Sequence, residues 1–443
     1  MRAGDVAGAS VSEAQDRGQA ALQALPDLPG GRELLAAAQR REDVELVGGA
    51  VRDLLLGRTP RELDVSVDGT AETFAEEIVS IFDDRFAEDG VRAAMQSHER
   101  FGTAVVRLHG ARIDVAARRA ESYAFPGALP DVRAGTPEED LRRRDFTVNA
   151  IAVSLGGARR GELRAAPHAL EDLAASRLRV LHDASFTDDP TRLLRLARYR
   201  ARLRFEPDER TARLAAEAVA AGALATVSQA RIGAELRLAL VEPDAVGALE
   251  SLQRLGALSA LHEAIELDAP LARAALAALP AEAGAWPDVL LLASLLLPAH
   301  SYDTTDYETR LRALLDGYEV PAAERERTVH SAILAPRVAE RLQRARTPSE
   351  VYEVAHDAPL EAVALAAALA QAQGRGEAAG AALRWLSQLR HVRLAIDGDD
   401  LLGAGVTAGP EIGRRLRRAL SRKLDGELGE GREAELSAAL EDV

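Results

Sequence analysis

Cysteine is missing altogether from the 443 residues. That excludes disulfides and thiolate zinc sites, and it fits a reducing cytoplasm. Lysine is almost missing: Lys423 is the only one, so nearly all positive charge is carried by arginine. Arginine suits phosphate, because its planar fork can bind two oxygens at once. No apolar run is long enough to cross a bilayer, and Val289 to Leu297 is far too short. The first thirty residues lack the basic start and apolar middle of a signal peptide. Residues 1–30 are expected to be a flexible extension. The chain is expected to be cytoplasmic, with no membrane partner and no obligate protein partner evident. An excess of positive charge is also absent. With 70 acidic and 55 basic residues the net charge is −15. That argues against a protein gripping nucleic acid over its whole surface, while leaving room for a local basic channel.

Hydrophobic residues make up 47% of the chain, enough to bury real cores in two to four domains. The first half alternates short apolar runs and amphipathic stretches. Val44 to Val47 reads as a strand ending in Gly48-Gly49, and Ala50 to Leu56 as a helix stopped by Gly57. Leu63 to Val67 is a second strand. Ala71 to Ile81 has helical spacing of Phe74, Ile78 and Ile81. Gly102 to Leu108 and Arg112 to Ala116 read as strands joined at His109-Gly110. Phe146 to Leu155 opens another regular apolar segment. From about Asp188 the chain reads as helices, interrupted near Pro207, Pro243, Pro280 and Pro321.

Five constellations carry chemistry. In Val47 to Asp53, Gly48 and Gly49 at a strand-to-helix junction let backbone N–H groups approach an anion, and Arg52 could reach a phosphate. A plain glycine turn would look the same. In Glu62-Leu63-Asp64-Val65 the two carboxylates share one strand face. Side by side they repel unless a cation lies between them. Mg²⁺ takes oxygen ligands, and phosphoryl transfer needs a metal bridging attacker and triphosphate. A solvated edge strand is the alternative. Asp114, in Arg112-Ile113-Asp114-Val115, is either a third carboxylate or a partner for a nearby arginine. In Arg142 to Ala150, Arg144 offers phosphate a donor, and Asp145 could accept from ribose hydroxyls.

The fifth is Asp188 to Arg195. Asp-Asp-Pro suits a helix start. Arg192, Arg195, Arg198 and Arg202 fall within an arc of about 120°. Leu193, Leu194, Leu196, Ala197, Ala201 and Leu203 lie opposite, so one face is basic and the other buried. Arg200 and Arg204 interrupt the apolar side. Asp189 can accept hydrogen bonds and Arg192 only donates. Such a pair can imitate the edge of a base and select a nucleotide without a template. An ordinary amphipathic helix with a charged outer face is the alternative.

In order and spacing these motifs resemble the class II tRNA nucleotidyltransferase and bacterial poly(A) polymerase family. The carrying segments are LVGGAVRDLLLGR (46–58), ELDV (62–65), HERFGTAVV (98–106), RIDVAARRAESYAFPGALP (112–130), EEDLRRRDFTVNAIAV (138–153) and SFTDDPTRLLRLARYRARLRF (185–205). GDDLLGAGVTAGPEIGRRL (398–416) looks like a closing helical segment. The resemblance implies an α+β fold: a polymerase-β-like nucleotidyltransferase head followed by an all-α neck, body and tail. The head is expected over 31–160, the neck with nucleotide-selecting and RNA-binding helices over 161–245, and a helical, tRNA-binding body and tail over 246–443. Gly49 and Arg52, beside Gly48, would hold the triphosphate. Glu62 and Asp64 would bind Mg²⁺, with Asp114 as the further candidate. Arg144 and Asp145 would hold phosphate and ribose. Asp189 and Arg192 would read CTP or ATP, with Arg195 and Arg198 assisting. The implied activity is addition of CMP, AMP or both to the 3′ end of tRNA, whose acceptor arm the helical part would hold. A poly(A) polymerase and a catalytically impaired RNA-binding homologue are the alternatives. Two departures bear on this. Glu62 stands where the family usually has Asp. The turn before Glu171-Asp172-Leu173 has lost the family's Asp and glycines.

Overall fold

The computed structural model describes residues 11–86, 92–98, 102–108, 110–263, 265–282, 284–297 and 304–441. The chain divides into two compact units, Met1–Val227 and Ser228–Val443. The first unit runs α1 (Val11–Ala24), α2 (Gly31–Ala38), β1 (Glu45–Val47), α3 (Gly49–Leu55), β2 (Leu63–Val67), α4 (Ala71–Arg85), β3 (Ala94–His98), β4 (Thr103–Leu108) and β5 (Ala111–Ala117). It continues through β6 (Arg119–Ser122), β7 (Asp131–Ala134), α5 (Pro137–Arg142), β8 (Ile151–Ser154), β9 (Leu163–Ala165), α6 (Ala169–Ala174), α7 (Ser185–Asp188) and α8 (Thr191–Leu203). Seven strands form one sheet in the order β3-β4-β5-β2-β1-β8-β9. Only β2 and β5 run parallel in it. β6 and β7 make a separate hairpin.

The sheet forms because its strands carry apolar residues at alternate positions. Leu63, Val65 and Val67 on β2 are buried, as are Ile113 and Val115 on β5. The intervening Asp64 and Asp114 therefore share the opposite face. α4 covers the sheet through Phe74, Ile78 and Phe82. The expected third core position, Ile81, is only half buried, because the helix continues to Arg85 and Phe82 continues the four-residue spacing. The sheet is also larger than expected. Its extra strands β3 and β9 lie where the sequence has weak or no alternation, as does the separate β6–β7 hairpin. The expected turn at His109-Gly110 falls partly on His109, outside the described residues; Gly110 has φ 76°.

The flexible extension expected over residues 1–30 needs correction. Residues 1–10 lie outside the described residues, but Val11–Ala24 is a helix and Leu25–Asp27 a 3-10 turn. Ala21, Leu22 and Leu25 are buried. Gln19 Nε2 donates to the Arg160 carbonyl at 3.1 Å. Gly18 packs so tightly on the Gly161 carbonyl that a Cβ would lie 2.3 Å from it. The segment is polar overall because only one side of the helix meets the sheet.

The second unit is helical throughout its described regular elements, from Gln229–Leu240 to Arg432–Leu440. The breaks read from the sequence hold. Asp244, after Pro243, caps Ala245–Arg254, accepting the Gly247 N–H at 2.9 Å. Pro321 precedes Ala322–Leu342. The alanine-rich helix Leu360–Ala372 is buried over most of its circumference. Its small side chains let neighbours approach closely. Glu361 on it is fully buried, and Arg327 grips it with Nε at 2.7 Å and Nη2 at 3.1 Å. No helix among the described residues is long and apolar enough to cross a membrane.

Candidate active site

β1 ends in a corner that glycine makes. Gly48 has φ 71° and ψ −134°, a backbone conformation that costs an L side chain energy. Its N–H donates to the Ile151 carbonyl at 3.0 Å, tying the corner to β8. A Cβ on Gly48 would lie 2.7 Å from Arg144 Nη1 and 3.6 Å from Asp64 Oδ2. The missing side chain thus leaves a notch that the Arg144 guanidinium fills, with the Asp64 carboxylate at its edge. The buried Arg144 Nε has no hydrogen-bond partner among the described residues. Arg144 Nη2 donates to Asp140 Oδ2 at 3.1 Å. Asp140, on α5, is itself buried. It was not among the expected site residues, although its three-residue spacing from Arg143 signals the pair they form.

The carboxylates meet as the strand alternation requires. Asp64 and Asp114 are register partners across the parallel β2–β5 pair. Glu62, Asp64 and Asp114 each offer an oxygen, and the three lie within 4.8 Å of one another. Glu62, with its extra methylene, still reaches the cluster. Burial pushes the Asp64 carboxyl up to about 7, and the charges of Glu62 and Asp114 add to the rise while Arg144 and Arg52 oppose it. Three carboxylate oxygens at this spacing fit a hard divalent cation, which would offset the cost of charging Asp64. Both readings left open for Asp114 hold together. It lies in the cluster, and it also takes a two-pronged bond from Arg112, with Nε to Oδ1 and Nη2 to Oδ2 both at 2.8 Å. Arg112 was quoted in the strand motif but not chosen as a site residue. Its two-residue spacing from Asp114 was the available signal.

Arg52 and Asp145 are placed differently from expectation. Arg52, expected at the triphosphate, is 1% exposed. Its Nε donates to Asp53 Oδ1 at 2.8 Å and its Nη1 to Asn149 Oδ1 at 2.5 Å. It also lies 5.4 Å from the centre of the Tyr199 ring. The first helical turn rotates it inward, beneath Gly49. Asp145, expected at the ribose, is also buried. Its Oδ1 accepts from the Phe146 N–H and Asn149 Nδ2, both at 2.8 Å, and its Oδ2 from Arg195 Nε at 2.9 Å and Nη2 at 2.7 Å. Burial works against its charge, but Arg195 and Asn149 more than compensate and hold it down to about 2. These residues form an internal network that joins α3, the segment before β8, and α8. Asn149 and Tyr199 are members that the sequence reading did not select.

On α8 the expected apolar side is right: Leu193, Leu194, Leu196, Ala197 and Leu203 are buried, though Ala201 is only half buried. The expected free basic face is not. Arg192 and Arg198 are buried too, at 4% and 9% exposure. Arg192 Nη1 donates to Ser185 Oγ at 2.7 Å and Nη2 to the Arg143 carbonyl at 2.9 Å. That bond ties α8 to the arginine run beside the notch. The helix start also differs. Asp188 ends α7, and Asp189 Oδ1 accepts from the Thr191 N–H at 3.1 Å and its hydroxyl at 2.6 Å. Arg200 pairs with Glu206, and Arg204 ends the helix in a left-handed conformation with φ 59°. Burial, and then Glu121, whose Oε2 accepts its hydroxyl at 3.0 Å, push Tyr123 in the hairpin loop up to about 12, while Arg192 opposes the rise. In the altered turn before α6, His168 takes φ 68°, a conformation glycine would adopt without strain.

Residues 44–179 match the family model of the poly A polymerase head domain. The A-adding tRNA nucleotidyltransferase of Halalkalibacterium halodurans is 39% identical over 228 residues, covering 51% of this chain and 51% of that protein. The A-adding tRNA nucleotidyltransferase of Geobacter sulfurreducens is 33% identical over 400 residues, covering 87% of this chain but 43% of that protein. The chain thus spans about half the length of the curated relatives it matches. Among solved structures, the Thermotoga maritima CCA-adding enzyme complexed with tRNA superposes with a TM-score of 0.69 at 26% identity, over 95% of this chain and 98% of that one. The architecture is therefore that of a nucleotidyltransferase head followed by helical domains.

Proposed function

We propose that this chain, whose head belongs to the poly A polymerase head-domain family, is a template-independent nucleotidyltransferase that adds AMP, CMP or both to the 3′ end of tRNA. The observation that carries the proposal is the three-carboxylate cluster with Asp64 Oδ2 and Arg144 Nη1 facing one notch at Gly48. A cation site beside an arginine-walled corner is what nucleotidyl transfer needs. The relatives named as A-adding favour AMP among the products.

In this mechanism the 3′-hydroxyl of tRNA attacks the α-phosphate of ATP or CTP, and pyrophosphate leaves. Glu62 and Asp64, with Asp114 beside them, would hold Mg²⁺. When bound, that ion supplies charge neutralisation at the phosphates and activation of the hydroxyl. Arg144, seated where Gly48 has no side chain, offers its guanidinium to the triphosphate. Gly49 continues the corner, where backbone can approach phosphate closely. Asp189 and Arg192, one accepting and one donating, read the base edge. Arg52, Asp145 and Arg195 act from behind: their network fixes α8 against the head, so the base-reading pair keeps its distance from the cluster, and Arg198, also buried on α8, assists. The helices of 161–245 serve as the neck, and the body and tail over 246–443 hold the tRNA acceptor arm.

The test is incubation of the purified chain with tRNA ending at the discriminator base, at C and at CC. ATP, CTP, GTP and UTP are supplied singly and together, and the product ends are sequenced. Extension by defined CMP or AMP steps that Asp64→Ala abolishes is the expected result. Long oligo(A) on any RNA would mean a poly(A) polymerase. No incorporation by a folded chain would mean an impaired homologue.

A further inference from the structure

The carboxylate cluster has a fourth member of opposite charge. β2 and β5 pair with Leu63 opposite Ile113 and Asp64 opposite Asp114. Two-residue alternation therefore puts Arg112 beside Glu62 on the same face. Arg112 closes a fork on Asp114, both prongs at 2.8 Å, while its Nε also lies 3.6 Å from Glu62 Oε2. Both oxygens of Asp114 are thus engaged by one guanidinium, which also leans on Glu62.

We infer that Arg112 is a positioning residue that restrains the cation site, holding Asp114 back from a divalent ion. This rests on the reading of Glu62, Asp64 and Asp114 as that site. The Arg112 guanidinium offsets one of the negative charges that the three carboxylates bring to the site, so a divalent ion meets a less negative cluster. Without Arg112 the site is one unit more negative, and both oxygens of Asp114 lose their guanidinium partner. The site is therefore tuned to bind its ion weakly alone and firmly once a triphosphate adds oxygens of its own. Arg112 is about half exposed, so water and salt screen it, and its effect on affinity is modest, about two- to five-fold.

The probe is Mn²⁺, titrated into the full chain without nucleotide and followed by the electron paramagnetic resonance of the free ion. Arg112→Ala should bind Mn²⁺ about two- to five-fold more tightly than the parent, and Arg112→Lys, which keeps charge but loses the fork, should fall between. In an Asp114→Asn background, Arg112→Ala should gain clearly less, because only its contact with Glu62 is left to lose. Adding a non-hydrolysable triphosphate should strengthen Mn²⁺ binding less in Arg112→Ala than in the parent. Unchanged or weaker Mn²⁺ binding in Arg112→Ala, or an equal gain without Asp114, overturns the inference. Asp64→Ala separates the two levels: if it binds Mn²⁺ as the parent does, the cation site itself is misassigned. Thermal melts of each variant confirm that the fold persists.

Discussion

Asp64 and Asp114 face each other across the parallel β2–β5 pair, so two acids from distant segments share one small patch of surface. Burial first, and then the charges of Glu62 and Asp114, raise the Asp64 carboxyl from 3.8 to about 7. A raised folded value means that the neutral form is favoured on folding. The contribution to stability is full below pH of about 4 and is lost as pH rises towards 7, a change of up to roughly 4 kcal/mol. In the presence of chelator, Asp64→Asn should therefore melt above the parent at pH 8 and close to it at pH 4. Mg²⁺ should raise the parent's melting temperature at pH 8 more than at pH 5, and should not raise that of Asp64→Asn. Calorimetry at the two pH values, with and without Mg²⁺, measures this. An identical Mg²⁺ shift in both proteins would remove Asp64 from the site.

Gly48→Ala probes the notch. The substitution forces an alanine to φ 71°, costing about 1–2 kcal/mol, and its methyl meets Arg144 Nη1. Arg144 can swing away, because its end is flexible, so the fold should survive. The side chain would then leave the position from which it faces the notch. Incorporation should drop on the order of a hundred-fold while the melting temperature falls only a few degrees. Single-turnover assays beside thermal melts separate the two effects.

Asp145 tests whether the inner network is structural. Its folded value lies at about 2, below the ordinary 3.8. The stability it gives is present above pH of about 4 and is lost as pH falls towards 2, roughly 2 kcal/mol in all. Asp145→Ala removes the acceptor for Arg195, Asn149 and the Phe146 N–H together. Leaving buried donors without it should cost about 3–5 kcal/mol. Urea unfolding at pH 7 is the measurement. A variant of parental stability that has lost only nucleotide affinity would return Asp145 to direct contact with the ribose.

The sequence made the patch legible because strand alternation is a local rule. Glu62 and Asp64 had to share a face, and Gly48 had to open the corner before α3. The parallel pairing of β2 with β5 is not local, so Asp114 could be placed only as a candidate. Arg52, Asp145 and Arg192 show the limit more sharply. An arginine in a helix's first turn can point out to a ligand or inward to a buried acceptor, and Asn149, 97 positions away, decides it for Arg52. The helical period told which residues of α8 are apolar. It could not tell that the head would close over the arginine side as well. The N-terminal helix was missed because its polar composition hid one small-residue face, with Gly18 against the Gly161 carbonyl and Ala21 buried one turn on.

Arg192 decides whether α8 chooses the nucleotide. Its guanidinium is oriented by Ser185 Oγ and the Arg143 carbonyl, which use one N–H on each terminal nitrogen. A guanidinium has five donors, so it can hold this geometry and still donate to a base. Arg192→Ala should then have two separable consequences. It should lower stability by about 1–3 kcal/mol, because the buried Ser185 hydroxyl and the half-buried Arg143 carbonyl lose a charged donor. It should also relax the preference for ATP and CTP over GTP and UTP by on the order of ten-fold or more, since a site built on hydrogen bonds rejects wrong edges most strongly. Ser185→Ala supplies the control: it loosens the same side chain without removing it, so it should cost stability and leave most of the discrimination. Competition assays with mixed nucleotides on one tRNA, run beside unfolding curves, separate the two. If Arg192→Ala and Ser185→Ala lose stability alike and discriminate alike, Arg192 is only a strut between α7, α8 and the arginine run, and base choice lies elsewhere.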